Sequence, residues 1–192
     1  MKRIVLVVFI VVACLSVSAQ DESRITLSAN TIQVDNFHAY SINPSFELAL
    51  NDHWNLRYEL GFGVRGNRKF YMHTPVTLPV GGLLFILGLS AGGSFINTLG
   101  ILMMIVPEGV SYDISLTDDL ELSPFIDINS CEYYLTPEYN DLQFLLSGDA
   151  GIALRMHISD RFYMSAYSSL TMLESKGLGF SGGLGIGYKF DL

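Results

Sequence analysis

Gly179-Phe180-Ser181-Gly182-Gly183 has the GxSxG spacing of a nucleophile elbow, where a serine on a strained strand-to-helix turn attacks an acyl carbon. Such chemistry needs a histidine within reach of Ser181. Of the four histidines, His38 falls in a connection, His53 in a turn, and His157 on the polar side of an alternating segment beside Arg155. Only His73, in Tyr71-Met72-His73-Thr74-Pro75, lies near the long apolar stretch of the chain. The pentapeptide itself sits inside an alternating run with no helix after it, which is the wrong setting for an elbow. No His, Cys, Asp or Glu spacing fits a metal centre, and no phosphate loop or cofactor fingerprint occurs. The expectation is therefore a non-enzymatic protein with no catalytic, cofactor or metal residue to assign.

The elements that carry these residues are strands. Tyr40, Ile42, Pro44, Phe46, Leu48 and Leu50 alternate with polar or small residues, and after a turn at Asn51-Asp52-His53 so do Trp54, Leu56, Tyr58, Leu60, Phe62 and Val64. The turn recurs as Leu116-Thr-Asp-Asp-Leu120 and Ile158-Ser-Asp-Arg-Phe162. A repeated hairpin turn implies one repeating antiparallel sheet. Ile25 to Val34 suggests a first strand with a bulge near Asn30, where the parity shifts. Val110 to Leu116, Leu120 to Ile128, Leu142 to Ile158, Phe162 to Met172 and Leu178 to Leu192 complete the set, with Phe125 as a misfit and Asn129 to Asn140 reading as a loop.

The 192 residues suit one domain, and 18 Gly, 12 Phe and 10 Tyr at only 16% charged residues suit strands and turns rather than disorder. Residues 1–19 read as a secretory signal peptide: Met1-Lys2-Arg3, an apolar run from Ile4 to Ala13, and Val17-Ser18-Ala19 before the cut. Val11-Val12-Ala13-Cys14 competes as a loose lipoprotein box. Without Lys2 and Arg3 the chain keeps 9 basic against 19 acidic residues, a formal charge of −10. No basic patch argues for nucleic acid. Cys131 would be the only cysteine, so no internal disulfide staples the fold.

Alternation alone does not say whether the oily face points into a soluble, lipocalin-like barrel or out to lipid. The opposite face decides for lipid, because it mixes Gly and Ser with Glu47, Arg57, Glu59, Asp113, Glu121, Asp127, Asp149, Arg155 and Lys189. These are expected inside, with Arg57 and Arg155 paired to carboxylates. Most strands reach about ten residues, the length that crosses a bilayer at a ~45° tilt. Aromatics on the oily face gather into two girdles: Trp54, Phe162, Tyr188 and Phe190 at one set of strand ends, and Tyr40, Phe62, Phe144 and Phe180 at the other.

From Ile25 to Leu192, apart from one insert, this pattern resembles the small outer-membrane β-barrels of Gram-negative bacteria, of the OmpA and OmpX type. The resemblance includes an alternating last strand, Tyr188-Lys189-Phe190-Asp191-Leu192, although the family's terminal aromatic is here Leu192. It implies an all-β, up-and-down barrel over residues 20–192 in the outer membrane, recognised by the assembly machinery, with periplasmic termini and short turns. Parity gives eight strands, with ten as the alternative.

The insert, residues 65–107, follows the third strand and is expected as an outward connection. Between Lys69 and Glu108 no Asp, Glu, Lys or Arg occurs. Leu83 to Val106 is apolar without clean alternation and is loosened at Ala91 to Ser94, which favours a helical or irregular hairpin against the barrel or in lipid. One added strand over Phe70 to Leu78 would break the even count, and Pro75 and Pro79 argue against it. Gly88 and Gly92 have GxxxG spacing. The insert is the candidate contact for lipid or a protein partner. The competing functions are a lipid-active enzyme, a transport barrel, or a secreted lipocalin-like binder.

Overall fold

The computed structural model describes residues 22–66, 69–136 and 141–190. The expected signal peptide, Cys14 and Leu192 lie outside these residues. One antiparallel sheet curls until its first strand, β1 (Ser23–Val34), pairs with both β2 (Phe37–Ala49) and the last strand, β11 (Gly177–Phe190). Between them run β3 (Trp54–Glu59), β4 (Gly61–Arg65), β5 (Lys69–Pro75), β6 (Gly109–Tyr112), β7 (Ile114–Thr117), β8 (Leu120–Leu135), β9 (Leu142–His157) and β10 (Phe162–Leu173).

Several of these pieces share one place in the wall. β3 and β4 both pair with β2, and Leu60 between them keeps its N–H on the Pro44 carbonyl. β5 pairs with β4 and β8, while β6 pairs with β3 and β8, so β5 and β6 are upper and lower parts of one wall strand that β7 continues. The result is a hydrogen-bonded ring of 8 strands.

This geometry corrects the expected position of the insert. Lys69 pairs directly with Arg65, so the connection after the third wall strand is short. The chain then runs down the wall through β5, leaves it after Pro75, and returns at Gly109. Along β8, Pro75 faces Ser130 and Gly109 faces Asp127, so the departure is in the middle of the fourth wall strand. The added strand does not break the even count, because β5 occupies no new position. Pro75 is tolerated because it ends its strand segment.

Two other expectations also change. Residues 129–135 are strand, not loop: a register shift in β8 between Asp127 and Ser130, opposite the break, reverses the phase of the alternation. β1 has no bulge at Asn30, since its register against β2 and β11 is unbroken. Ile32 and Val34 keep phase and point inward, into an apolar cluster with Phe37, Tyr71, Tyr134, Leu145 and Leu173 that fills the end of the ring away from the chain termini. Phe125, the misfit, is also inside, with the Arg57 guanidinium 4.1 Å above its ring.

Elsewhere the oily side faces out: Ile42, Phe62, Ile152, Leu170, Leu184 and Ile186 are exposed. On the inner side of β11, glycines make room for tyrosines of β10. A Cβ on Gly187 would run into the Tyr163 ring, whose hydroxyl is 2.6 Å from Thr26 Oγ1. Gly187→Val is accordingly expected to displace Tyr163 and cost about 1–3 kcal/mol by overpacking, read as an earlier midpoint when the folded form is titrated with urea.

The residues outside the wall form a helical hairpin, α1 (Thr77–Ala91) and α2 (Ser94–Met104), with the joint where the sequence is loosened. The helices pack closely on each other because Gly81 faces Gly100 and Gly88 faces Asn97. Gly92 takes no part in that seam; at φ 67° it is the left-handed cap of α1. Large apolar residues on both helices, among them Leu83, Ile86, Leu89 and Phe95, are exposed. A helix apolar on every side asks for a non-aqueous surrounding. Among the described residues no helix is long and apolar enough to cross a membrane.

Candidate functional site: the buried charges and the foot of the hairpin

Strand alternation turns one residue in two into the ring, and near the chain termini those residues are ionic. Arg155 on β9 is 2% exposed; its Nη2 lies 2.6 Å from both Glu47 carboxylate oxygens, and its Nη1 lies 3.0 Å from Asp113 and 2.7 Å from Glu121. Arg24 on β1 donates to Asp113 at 2.5 Å and to Glu121 at 2.9 Å. Arg57 on β3 reaches Glu47 and Asp127, each at 3.0 Å. Carboxylates from β2, from the β6–β7 junction and from β8 are thus tied across the ring by guanidinium groups, whose several donors suit such bridging.

The other expected interior charges are held differently. Glu59 accepts from the Asn30 amide at 3.1 Å and from Asn43. Asp149 takes hydroxyls, Ser169 at 2.9 Å, Ser181 at 3.1 Å, and Thr171. Lys189 stands apart near the chain termini, 3.0 Å from Glu22. Ser181 is therefore a mid-strand hydroxyl bonded to a carboxylate, not the apex of a turn.

A second cluster lies where the wall strand breaks. His73, just before the chain leaves, is 2.6 Å from Glu108, just before it returns, and its other ring nitrogen is 2.8 Å from Glu132. Tyr71 donates to Glu132 at 2.6 Å, and Ser147 does so at 2.8 Å. Glu108 also accepts from Ser130 and from the Glu59 N–H at 3.0 Å. Its own backbone completes the ladder: the N–H donates to the Arg57 carbonyl at 2.8 Å, and the carbonyl accepts from Ile128 and Asn129 at 3.1 Å. Outside, the Asn129 amide donates to Thr77 at 2.9 Å and to the Pro107 carbonyl at 3.1 Å, and Tyr58 donates to the Ile105 carbonyl at 2.9 Å. A break in a wall leaves backbone groups that must find partners; both of those on Glu108 do, and the Val76 N–H donates to the Asn129 carbonyl at 2.8 Å.

Four of these residues escape the sequence reading as interior charges. Arg24 is one place out of phase with Ile25, a signal the supposed bulge obscures. Glu108 borders the charge-free run, Glu132 sits in the stretch read as loop, and His73 stands out only as a histidine near the insert.

On the outer face, Trp54 packs edge-on to Tyr112 at 5.0 Å, Phe162 meets Tyr188 at 5.0 Å, and Phe190 stacks on Phe46 at 6.0 Å, all toward the chain termini. Tyr40, Phe144 and Phe180 lie toward the other end, while Phe62, opposite Ile42, is further into the wall. Inside, the voids beside Glu59 and Arg57 measure about 20 and 30 Å³, room for roughly one or two waters each. At mid-height the ring is filled by its own side chains, and toward the Ser23 and Phe190 end it opens into a polar mouth of about 560 Å³ beside Glu121, His157 and Lys189.

No family model matches the chain, and no curated protein does. Solved structures do. The N-terminal β-barrel domain of Pseudomonas aeruginosa OprF superposes with a TM-score of 0.57 at 12% identity, covering 89% of this chain and 98% of that one. This is the fold of a small outer-membrane β-barrel. Ail, the attachment invasion locus protein of Yersinia pestis, superposes on the barrel with a TM-score of 0.51 at 10% identity, over 88% of this chain and 97% of its own. The 8-strand ring of the barrel is common to these proteins.

Proposed function

We propose that the barrel is exported by residues 1–19, resides in the outer membrane with its termini and short Asp-centred turns in the periplasm, and serves a non-enzymatic structural or interaction role. Its working surface is the hairpin. The observation that carries this reading is the conjunction of a filled, ion-paired interior with an apolar hairpin that leaves the wall at mid-height. A ring packed with its own charges favours neither passage nor a cavity for substrate. A 15-residue α1 extends about 22 Å, against about 15 Å for half of a bilayer core, so a hairpin rooted at mid-wall is long enough for its Ser90-to-Ser94 tip to reach a headgroup region. The expected surroundings are lipid, with a protein partner over Leu83 to Val106 as the other occupant. The last strand supports handling by the outer-membrane assembly machinery.

The first test is gel mobility of the outer-membrane fraction before and after boiling in detergent. A boiling-dependent shift supports the membrane barrel. A soluble periplasmic protein without a shift overturns it and revives the lipocalin-like binder. The second test excises the hairpin, joining Pro75 to Glu108 through a short turn. Because Pro75 and Gly109 face β8 residues only three apart, Ser130 and Asp127, the ring is expected to assemble and keep its shift, while any partner protein that crosslinks to the intact barrel is no longer captured. Loss of the shift would make the hairpin a folding brace instead.

A further inference from the structure

Beneath the hairpin's foot, the outer wall and the first and last turns of the helices enclose an open groove of about 320 Å³. Its walls include Ile25, Phe46, Tyr58, Leu60, Leu78 and Met104, while Ser45 and Glu59, which also border it, line the interior voids as well, and the Glu59 carboxylate is held there by Asn30 and Asn43. The polar end of Tyr58 is already engaged with the Ile105 carbonyl, so the groove offers hydrocarbon and little else. We propose that this groove holds one acyl chain of a phospholipid, drawn from the leaflet on the side of the chain termini. The inference rests on the membrane reading above.

Three observations choose this occupant. First, the groove is too small to receive a helix: one about 10 Å across has a section near 80 Å², so this volume takes about 4 Å of it, less than one turn. A single hydrocarbon chain is thin enough. Second, an apolar recess holds water poorly, and on a lipid-facing wall the available apolar solute is the bilayer's own chains. Third, the groove runs from the mid-wall root toward Ile25, which pairs with Phe46 and Tyr188 near the chain termini, so it opens to that leaflet. A chain lodged there would brace the hairpin against the wall, which it meets at its foot through Thr77 and Ile105.

The test reconstitutes the full barrel in phosphatidylethanolamine and phosphatidylglycerol vesicles doped with a phosphatidylethanolamine that carries a diazirine in its acyl chain. Photolabelling is expected to concentrate several-fold on peptides bearing Tyr58, Leu60, Leu78 and Met104 relative to the open wall at Ile186. In Leu60→Trp, which fills the groove, the enrichment is expected to disappear while labelling at Ile186 persists. Even labelling around the wild-type ring overturns the site while leaving the membrane reading intact. Absence of label anywhere on the outer wall overturns both. The wild-type pattern decides even where Leu60→Trp fails to give a boiling-dependent shift.

Discussion

Arg155→Ala is expected to remove most or all of the heat-modifiable folded form. The guanidinium is fully enclosed and faces Glu47, Asp113 and Glu121, which come from three different parts of the wall. Deleting it leaves Arg24 and Arg57 against the same carboxylates, and neither replaces the contacts Arg155 makes from β9. Removing one partner of a buried ion pair costs about 3–5 kcal/mol, because the remaining charges stay buried and uncompensated. That approaches the whole stability of an ordinary domain, about 5–15 kcal/mol. Arg155→Lys is expected to recover only part, since an ammonium is a point charge and does not span carboxylates on separate strands. The readout is the fraction of folded band across a urea series. A shift in midpoint equivalent to less than about 1 kcal/mol, as for an exposed pair, would mean that water screens the interior and that the network does not hold the ring.

The parts of this molecule legible in its sequence are those where alternation runs unbroken. Leu142 to His157 and Gly177 to Phe190 state their faces residue by residue, and Arg155, Asp149 and the glycines of β11 follow. Legibility fails where a second rule overrides the period of two. At Ile32 and Val34 the interior itself turns apolar, so correct phase looks like a bulge. At Ile128 to Ser130 an extra residue reverses the phase, so a strand looks like a loop. At Lys69 to Pro75 the wall strand has only seven residues before the chain departs, and its other half lies beyond 33 intervening residues. No local pattern reports that two distant fragments share one place in a ring. The cluster of His73, Glu108 and Glu132 is built on those last two features, which is why it escapes a reading by pattern.

That cluster yields the second large effect, and its expected signature is local. Glu108→Ala deprives His73 of its partner at 2.6 Å, frees the Ser130 hydroxyl, and orphans the Glu59 N–H beside the strand break. Orphaned buried groups cost about 1–3 kcal/mol each. The backbone of residue 108 still bridges Arg57 to Ile128 and Asn129, so the ring need not come apart. The weakened region is the seam through which the hairpin leaves. Amide hydrogen exchange is expected to accelerate at Glu59, Ile128 and Asn129 while the β10–β11 pair keeps its protection, and proteases are expected to cut within residues 76–107. Glu108→Gln separates the contributions: the amide oxygen still accepts from Ser130 and the Glu59 N–H, so only the charge facing His73 is lost and the change should be the smaller of the two. Uniform loss of protection around the ring in Glu108→Ala would show instead that the seam and the network around Arg155 act as one unit. Local opening would mean that the wall has a built-in weak line, closed by a histidine at one end of the hairpin's foot that is held between a carboxylate at the other end and a carboxylate on the neighbouring strand.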